Sequence, residues 1–412
     1  MNKNTATLFA LLVLFYINSF AQKGEADIII GTNYTIQSKY LDQDRSIQVY
    51  LPDSYNESNQ NYPVLYVLDG QWYFVNGVAI QKALRTPSHL PEMIVVGIHN
   101  ENPLRRTLFD DQKDKFLLFM EHELIDFVDT TFRTSDQRIL FGWEAAGYFT
   151  SEVIFDSSDL FDGAIISDGA TASEKILNDF INSHKTNEKY VFIANSDKDI
   201  FYYQDGVEFS NLLAEKAPSH VNWKYQLFNN EVHVSLPYLA LYHGLLHFYH
   251  NFPSLIFRNI KEFNDLGGVP YLEVYFKERS ERFGFPPGID DSTKNGLIWL
   301  AWNRDDYDSF HFFMLEFEDV LSTKRYASAY WQNRFAQFYL KHGDHDNAIL
   351  YFNKGIDKYP DAAFMTIMYE GLGDAYMAKK EREQALKAYK SALKIDSDLE
   401  AVQVKIKDIK NN

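Results

Sequence analysis

The amino-acid sequence predicts an α/β protein with a doubly wound, mostly parallel sheet, followed by an all-α region. Short segments rich in Val, Ile and aromatic residues alternate with helical patterns up to about residue 250, and strand-like segments end there. Several segments are apolar without alternation, which is typical of strands covered on both faces. Strands that alternate with helices favour a mostly parallel sheet. The predicted strands are 46–52, 62–70, 92–98, 138–142, 161–167, 189–195 and 223–228, and the predicted helices include 113–132 and 202–217.

Length and charge restrict the organisation and the partners. The chain has 412 residues, which is too many for one ordinary core, so two domains are expected. A hydrophobic content of 46% excludes a disordered chain. The formal net charge of −17 argues against nucleic acid and membrane surfaces as partners, because both are anionic. The chain has no cysteine, which excludes disulfides, thiolate metal sites and a cysteine nucleophile.

The first 21 residues have the features of a signal peptide. Lys3 precedes an apolar run from Leu8 to Ile17, and Ser19-Phe20-Ala21 fits the small-x-small cleavage pattern. The alternative is an N-terminal membrane anchor, but the run is too short to span a bilayer comfortably. We therefore expect cleavage after Ala21, export to the periplasm or the medium, and no membrane insertion afterwards.

The all-α region contains an internal repeat. Segments 335–361 and 372–398 align with a constant offset of 37 residues (385 − 348), with large and small residues at matching places. This pattern resembles tetratricopeptide repeats, whose usual period is about 34 residues, although a plain helical bundle is the alternative. The predicted domains are 22–255 for the α/β domain, 256–294 for a linker and helical connection, and 295–412 for the repeats.

The stretch FGWEAAGYFT, residues 141–150, follows a predicted strand and has the shape of a catalytic turn. In the G-x-S-x-G turn, a strand ends in a sharp bend that exposes the central side chain, and a helix follows at once. Gly142, Ala146 and Gly147 meet the steric requirement of this bend. The central position, which should carry the serine nucleophile, is Glu144.

Four further segments strengthen this interpretation: DRSIQVYLPDSY, YPVLYVLDGQWYF, PEMIVVGI and HVSLPYLALYHGLLHF. Together with the turn they resemble the esterase family that includes esterase D and the enterochelin-type esterases. The resemblance covers roughly residues 28–250 and implies an α/β-hydrolase fold. Exported members of this family that carry tetratricopeptide-like tails are also familiar.

The resemblance implies a set of site residues. His233 matches the catalytic base, and it follows the last strand-like segment, as the serine–acid–histidine order requires. The acid follows the strand at 189–195, where Asp197 and Asp199 both qualify and Asp199 aligns better. The implied oxyanion donors are the backbone N–H groups of Gln71 and Ala145.

No cofactor or metal site is expected from the sequence. His243, His247 and His250 lie on the last helix of the α/β domain at spacings of four and three residues. No carboxylate pattern accompanies them, so we interpret them as surface or packing residues.

Three departures from the family lie near the mouth of the predicted site. Glu144 replaces the serine, RRTLFDD (105–111) lacks the usual Arg-x-x-Asp pattern, and ISDGA (166–170) replaces a Ser-Pro pair. A carboxylate beside His233 should form an ion pair with it and hold it protonated, which would occupy both groups.

The leading prediction is therefore an exported, non-catalytic or weakly active binder of an esterified or acylated ligand, of carbohydrate or siderophore type. Its repeats would bind a protein partner. One alternative is an active hydrolase that uses Glu144 and His233 in an altered mechanism, since related folds use Asp at this position against saturated carbon. The other alternative is a scaffold with a vestigial pocket, in which only the concave repeat surface binds a partner.

Overall fold

The computed structural model describes residues 28–85, 89–101, 104–199 and 201–411. The predicted signal peptide, residues 1–21, lies outside these residues. The chain divides into two compact units, Met1–Pro253 and Ser254–Asn412. Within the described ranges, no helix is long and apolar enough to cross a membrane.

The first unit contains a mixed eight-stranded sheet in the order β1-β2-β4-β3-β5-β6-β7-β8. The strands are β1 (Thr32–Ser38), β2 (Gln43–Tyr50), β3 (Tyr62–Leu68), β4 (Ile94–Ile98), β5 (Thr134–Trp143), β6 (Gly163–Ser167), β7 (Lys189–Ser196) and β8 (Val221–Phe228). Strand β2 pairs antiparallel with β1 and with β4, and the remaining pairs are parallel. With helices around this sheet and a helical region after it, the predicted fold class is confirmed.

The helices of the first unit are α1 (Gly70–Leu84), α2 (Leu104–Phe109), α3 (Lys113–Phe119), α4 (Asp126–Thr131), α5 (Ala145–Asp156), α6 (Glu174–Asn182), α7 (Tyr203–Lys216) and α8 (Leu236–Phe248). A π-helical turn, Met120–Ile125, joins α3 to α4. The helix predicted over 113–132 is therefore present but contains this π-helical turn. Such turns are rare and are not visible in an apolar pattern.

Burial explains which strands the sequence predicted. Every residue of β3, β4, β6 and β7 is buried, and these strands are largely apolar. Strand β1 was not predicted, because it is an edge strand in which most residues are polar and accessible. It forms by pairing with β2, with Thr32 opposite Val49 and Ser38 opposite Gln43.

Strand connectivity determines where a site can lie. Strands β3 and β5 are parallel neighbours, and each is followed closely by a helix, α1 and α5 respectively. The carboxyl ends of β3, β5, β6 and β7 therefore lie along one edge of the sheet, which is where ligands bind in open α/β sheets.

The second unit is entirely helical in its described residues. Its helices are α9 (Ile260–Asp265), α10 (Gly268–Phe283), α11 (Asp291–Asn303), α12 (Tyr307–Glu316), α13 (Ala329–Lys341), α14 (His345–Lys358), α15 (Met365–Ala378), α16 (Arg382–Ile395) and α17 (Glu400–Asn411), with a 3-10 turn at Glu318–Ser322. The segment 256–294, predicted as a linker and helical connection, includes α9 and α10. Phe263, Leu272 and Phe276 pack in the same hydrophobic cluster as the repeats, so this segment is a folded part of the second unit.

The two repeats are helix pairs, α13 with α14 and α15 with α16. Ala348 and Ala385, aligned by the offset of 37 residues, are both fully buried. At Gly355 an added Cβ would lie 2.0 Å from the Met368 methyl group, so a larger residue would displace the end of the Met368 side chain. The small residues of the repeat thus permit close helix packing.

We expect limited proteolysis of the full chain to cut first between residues 255 and 290. The segments that flank α9 and α10 lie at the start of the second unit, and residues 284–290 contain no helix or strand. Mass spectrometry of the first fragments gives the cut sites. Early cuts scattered through residues 28–250 would contradict this boundary.

Candidate active site

The turn between β5 and α5 has the strained geometry of a nucleophile elbow. Glu144 lies at its apex with φ 55° and ψ −119°, a backbone conformation that residues other than glycine rarely adopt. An added Cβ at Gly142 would lie 2.2 Å from the carbonyl oxygen of Ala146, and one at Gly147 would lie 2.5 Å from that of Gly169. The small residues predicted to permit the bend are therefore required by its geometry.

The carboxylate of Glu144 is held at both oxygens. Oε2 accepts a hydrogen bond from Nη1 of Arg105 at 2.6 Å, and Oε1 accepts one from the Tyr202 hydroxyl at 2.9 Å. Nη2 of Arg106, a mostly exposed side chain, lies 3.5 Å from Oε1. Burial alone would raise the pKa of Glu144, but the bonds from Arg105 and Tyr202 outweigh it and lower the pKa below its usual value. Glu144 is therefore an anion at neutral pH.

The expected ion pair between Glu144 and His233 is wrong. Among the described residues, the direct partners of the Glu144 carboxylate are Arg105, Arg106 and Tyr202. A buried guanidinium with a planar array of donors satisfies a carboxylate better than one imidazole N–H does. Segment 105–111 departs from the family pattern, but its sequence alone does not show that Arg105 faces the elbow.

Arg105 joins the ends of two neighbouring strands. It forms two parallel hydrogen bonds with Asp69, which follows β3, from Nε to Oδ1 and from Nη2 to Oδ2, both at 2.9 Å. Nη2 also donates to the carbonyl of Trp143 at 3.1 Å, at the end of β5. The guanidinium carbon lies 5.5 Å from the ring centroid of Trp72 and 5.4 Å from that of Trp143. Charge, hydrogen bonds and aromatic contacts thus fix this side chain in one position.

Asp69 is a fully buried carboxyl group in this network. Its backbone has φ 56°, and its N–H donates to Oδ1 of Asn100 at 3.1 Å. Burial raises the pKa of Asp69 to about 6, although the bonds from Arg105 act in the opposite direction. The carboxylate form of Asp69 therefore depends on Arg105.

His233 is held through Nδ1 by two carboxyl groups. Oδ2 of Asp199 lies 2.7 Å from Nδ1, and Oδ2 of Asp168 lies 3.1 Å from it. Of the two aspartates considered after β7, Asp199 makes this contact. Asp197 is exposed, and its Oδ1 accepts a hydrogen bond from the backbone N–H of Asn230.

Sequence reasoning missed Asp168. It follows β6 with φ 39°, and its Oδ1 accepts hydrogen bonds from the backbone N–H of Ser196 at 3.3 Å and from Nδ2 of Asn195 at 3.2 Å. The segment 166–170 had been noticed only for the missing Ser-Pro pair. An aspartate directly after a buried parallel strand was the signal that could have identified it, because neighbouring strand ends converge.

Asp168, Asp199 and His233 are interacting titratable groups, and each changes the pKa of the others. Burial raises the pKa of Asp168. Burial would also raise the pKa of Asp199, but backbone N–H groups of Phe201 and Tyr202 outweigh it and lower the pKa. Burial would lower the pKa of His233, yet its contacts with both aspartates raise it above its usual value. The contacts with both aspartates therefore favour the imidazolium form of His233.

Two aromatic rings pack against the His233 imidazole. The centroid of Trp143 lies 4.6 Å from that of His233, and Tyr202 stacks on it at 5.0 Å with an interplanar angle of 19°. Nε1 of Trp143 also donates to the backbone carbonyl of His233 at 3.1 Å. The ring is therefore fixed in orientation by packing as well as by hydrogen bonds.

The predicted oxyanion donors lie in first helical turns. Gln71 is the second residue of α1 and Ala145 is the first residue of α5, so their backbone N–H groups have no acceptor within their own helices. The side-chain amide of Gln71 bonds both the carbonyl and the N–H of Asn100 at 3.1 Å, which ties the start of α1 to the end of β4. These two N–H groups remain the predicted oxyanion donors.

A cavity of about 390 Å³ lies beside Glu144. It has an aromatic side and a charged side, in which Lys113 forms an ion pair with Glu152. The lining residues are Arg106, Phe109, Asp110, Lys113, Glu144, Ala145, Tyr148, Phe149, Glu152 and Tyr202. The pocket therefore offers aromatic stacking and paired charges around the elbow.

Asp168, Asp199 and His233 also have ligand atoms within 4.8 Å of one another, close enough to consider a metal ion. A zinc–nitrogen bond is about 2.0–2.1 Å long. Here both carboxylate oxygens approach Nδ1 directly, at 2.7 and 3.1 Å. This is the geometry of hydrogen bonds, and we assign the group to them.

Removing the Arg105 guanidinium should destabilise the fold strongly, because Asp69 would be left buried without its cationic partner. We expect Arg105→Ala to lower the free energy of unfolding by about 3–5 kcal/mol, measured by urea denaturation at pH 7.5. The matched control Arg106→Ala changes an exposed arginine that contacts the same glutamate, and it should change this free energy by less than about 0.5 kcal/mol. Equal small effects would contradict the proposed role of Arg105.

Comparison with known proteins agrees with the predicted fold class and repeats. The "Putative esterase" family model matches residues 38–234, and the tetratricopeptide repeat model matches 328–361 and 367–399. The uncharacterized protein YbbA of Bacillus subtilis is 33% identical over 67 residues, which cover 16% of this chain and 27% of that protein.

Two solved structures are similar to this chain. An uncharacterised protein of Capnocytophaga ochracea aligns with a TM-score of 0.57 and 17% identity over 86% of this chain and 99% of its own. An IroE-like serine hydrolase of Shewanella oneidensis aligns with a TM-score of 0.49 and 21% identity over 70% of this chain and 98% of its own. By the family models, residues 38–234 match "Putative esterase" and are followed by two tetratricopeptide repeat matches.

Proposed function

We propose that this is an exported ligand-binding protein whose esterase-like domain holds an esterified or acylated molecule beside Glu144 with little or no hydrolysis. The observation that carries the proposal is the engagement of both Glu144 oxygens, by Arg105 at 2.6 Å and by Tyr202 at 2.9 Å. The ligand class follows the family match and is of carbohydrate or siderophore type.

Glu144 is a poor nucleophile in this setting. Attack on an ester carbonyl would form a mixed anhydride, and the attacking oxygen would first have to leave a charge-assisted hydrogen bond with Arg105 or the hydroxyl of Tyr202. The lowered pKa of Glu144 weakens its basicity as well. The carboxylate is therefore better suited to holding Arg105 and Tyr202 in place than to attacking a substrate.

His233 is also poorly prepared to act as a base. A general base must be neutral to accept a proton, and the two aspartates at Nδ1 favour the protonated ring. Ester hydrolysis requires a free nucleophile and a neutral base. Glu144 is not the first, and His233 is not the second.

The pocket is not vestigial. Arg105 and Asp69 are both buried and joined by two hydrogen bonds, and burying such a pair costs desolvation energy. The aromatic side of the pocket offers stacking area to an acyl group. A maintained, shaped site with its reactive groups neutralised supports binding over a purely structural role.

The repeats supply a second binding surface in this proposal. A groove of about 520 Å³ lies between α11 and α13, lined by Trp302, Asn303, Asp305, Asn333, Arg334, Gln337, Phe338 and Lys341. Side-chain amides and cations can pair with backbone and acidic groups of a polypeptide. We therefore propose a protein partner at the repeats and a small ligand at the esterase-like domain.

The wild type should hydrolyse 4-nitrophenyl acetate at close to the buffer rate, and Glu144→Ser should raise the rate at least about tenfold. The elbow, His233 and Asp199 remain, and partial sites of this kind retain considerable acceleration. Measuring the pH profile should show the gain increasing toward alkaline pH, because only the neutral fraction of His233 can accept the serine proton.

Two controls accompany this assay. Glu144→Ala removes the carboxylate without supplying a hydroxyl, and Glu144→Ser/His233→Ala removes the base, so both should stay at the buffer rate. Robust wild-type turnover that disappears in Glu144→Ser would show that Glu144 is itself the catalyst and would overturn the binding proposal.

Binding is tested with an unhydrolysed ester, ethyl 4-hydroxybenzoate, followed by tryptophan fluorescence. We expect a saturable change in the wild type and an affinity about tenfold weaker in Tyr148→Ala, which removes an aromatic ring from the pocket wall. Tyr203→Ala, which truncates a partly exposed tyrosine outside the residues that line the pocket, is the matched control and should bind like the wild type. Equal affinities in all three proteins would exclude this pocket as the site.

A further inference from the structure

The position of His233 is unusual for a hydrolase base, because two separate strand ends each supply a carboxyl group to the same ring nitrogen. Asp168 follows β6 and Asp199 follows β7, and both side chains are fully buried. Their oxygens lie 3.1 and 2.7 Å from Nδ1. One acid is sufficient to orient a catalytic imidazole, so the second requires another explanation.

Contact of two buried carboxyl groups with Nδ1 affects the protonation state of the imidazole. When both neighbours are ionised, Nδ1 must carry a hydrogen, because a carboxylate oxygen can only accept. Positive charge on the ring then offsets the charge of two carboxylates that are themselves fully buried. Asp199 has two backbone N–H donors of its own, from Phe201 and Tyr202, while Asp168 has Ser196 N–H and the Asn195 amide. Both carboxyl groups are therefore fixed in place and cannot turn away from the ring.

The other ring nitrogen of His233, Nε2, is not engaged by the aspartates. Trp143 and Tyr202 pack against the ring, and Nδ1 contacts the buried aspartates. The His233 side chain remains 28% exposed, which leaves room for a ligand to reach the ring. The Nε2 atom has no hydrogen bond to any residue in the described ranges of the chain, and it is free to donate to a bound molecule.

We propose that His233 is a standing imidazolium whose Nε2–H donates to an acceptor oxygen of the ligand, and that Asp168 is the positioning residue that maintains this state. The inference rests on the proposed function for the identity of the acceptor, which is the carbonyl oxygen of the ester or acyl group. The residue that is a base in the esterases thus becomes a charged hydrogen-bond donor here.

Other charged groups near the ring agree with this assignment. Glu144, at the end of β5, interacts electrostatically with His233 and favours a positive ring. Its own charge is directly compensated by Arg105 and Arg106, which approach from α2. Tyr202 is the titratable group on one ring face, and its pKa is raised to about 12, so it stays neutral. The charged groups around His233 therefore favour the imidazolium.

The test is the titration of His233 by nuclear magnetic resonance on the full chain with 15N-labelled histidine, assigned with a His233→Gln variant. In the wild type, both ring nitrogens should keep the chemical shifts of protonated nitrogens through pH 7.5. In Asp168→Asn, the titration midpoint should fall by about one pH unit or more, because one carboxylate is lost. The matched control Asp197→Asn, which changes the exposed aspartate two residues before Asp199, should titrate like the wild type.

The predicted hydrogen bond from Nε2–H to a ligand is tested by adding ethyl 4-hydroxybenzoate at pH 7.5. The Nε2 signal of His233 should move saturably in the wild type and much less in Asp168→Asn. A neutral His233 at pH 7 in the wild type, or an unchanged midpoint in Asp168→Asn, would overturn the inference. If tryptophan fluorescence shows that the ester binds while the Nε2 signal stays still, the inference is wrong and the proposed function stands. If His233 is protonated but nothing binds, the proposed function fails and His233 has no such acceptor.

Discussion

The site depends on one interaction, the contact of the Arg105 guanidinium with Asp69 and Glu144. A single planar group bridges the turn after β3 and the elbow after β5, and it does so where the side chain is only 7% exposed. Removing two charges from water is costly, and it is offset here by four hydrogen bonds to Asp69, Glu144 and the Trp143 carbonyl. This interaction lowers the pKa of Glu144 and fixes the orientation of its carboxylate.

A second cluster of charged residues, around His233, lies next to the cluster around Arg105. In both clusters one cationic side chain contacts two carboxyl groups. His233 balances Asp168 and Asp199 as Arg105 balances Asp69 and Glu144. Tyr202 connects the two groups, because its ring stacks on His233 while its hydroxyl donates to Glu144. The site is thus a network of paired charges built around a turn with elbow geometry.

This organisation links the fold to the proposed function. The parallel strands bring their carboxyl ends to one edge of the sheet, and each end contributes one charged residue: Asp69, Glu144, Asp168 and Asp199. Positive backbone φ angles at Asp69, Glu144 and Asp168 show that strain is concentrated at this edge. Strain and buried charge of this kind are retained where a site must keep a fixed shape, which is what recognition of a ligand requires.

The sequence by itself determined the fold class, the elbow and the helix pairs of the repeats, because these depend on local patterns. Apolar strands covered on both faces, small residues around a tight bend, and Ala348 and Ala385 at matching places are visible without any tertiary information. It also identified the loops that carry His233 and Asp199, although it left Asp197 open. Only the tertiary structure decided the charge partners. Arg105 and Glu144 are 39 residues apart, and Asp168 and His233 are 65 residues apart. Such contacts follow from which strand ends become neighbours in the sheet and from the requirement to neutralise buried charge, and no periodicity along the chain encodes them.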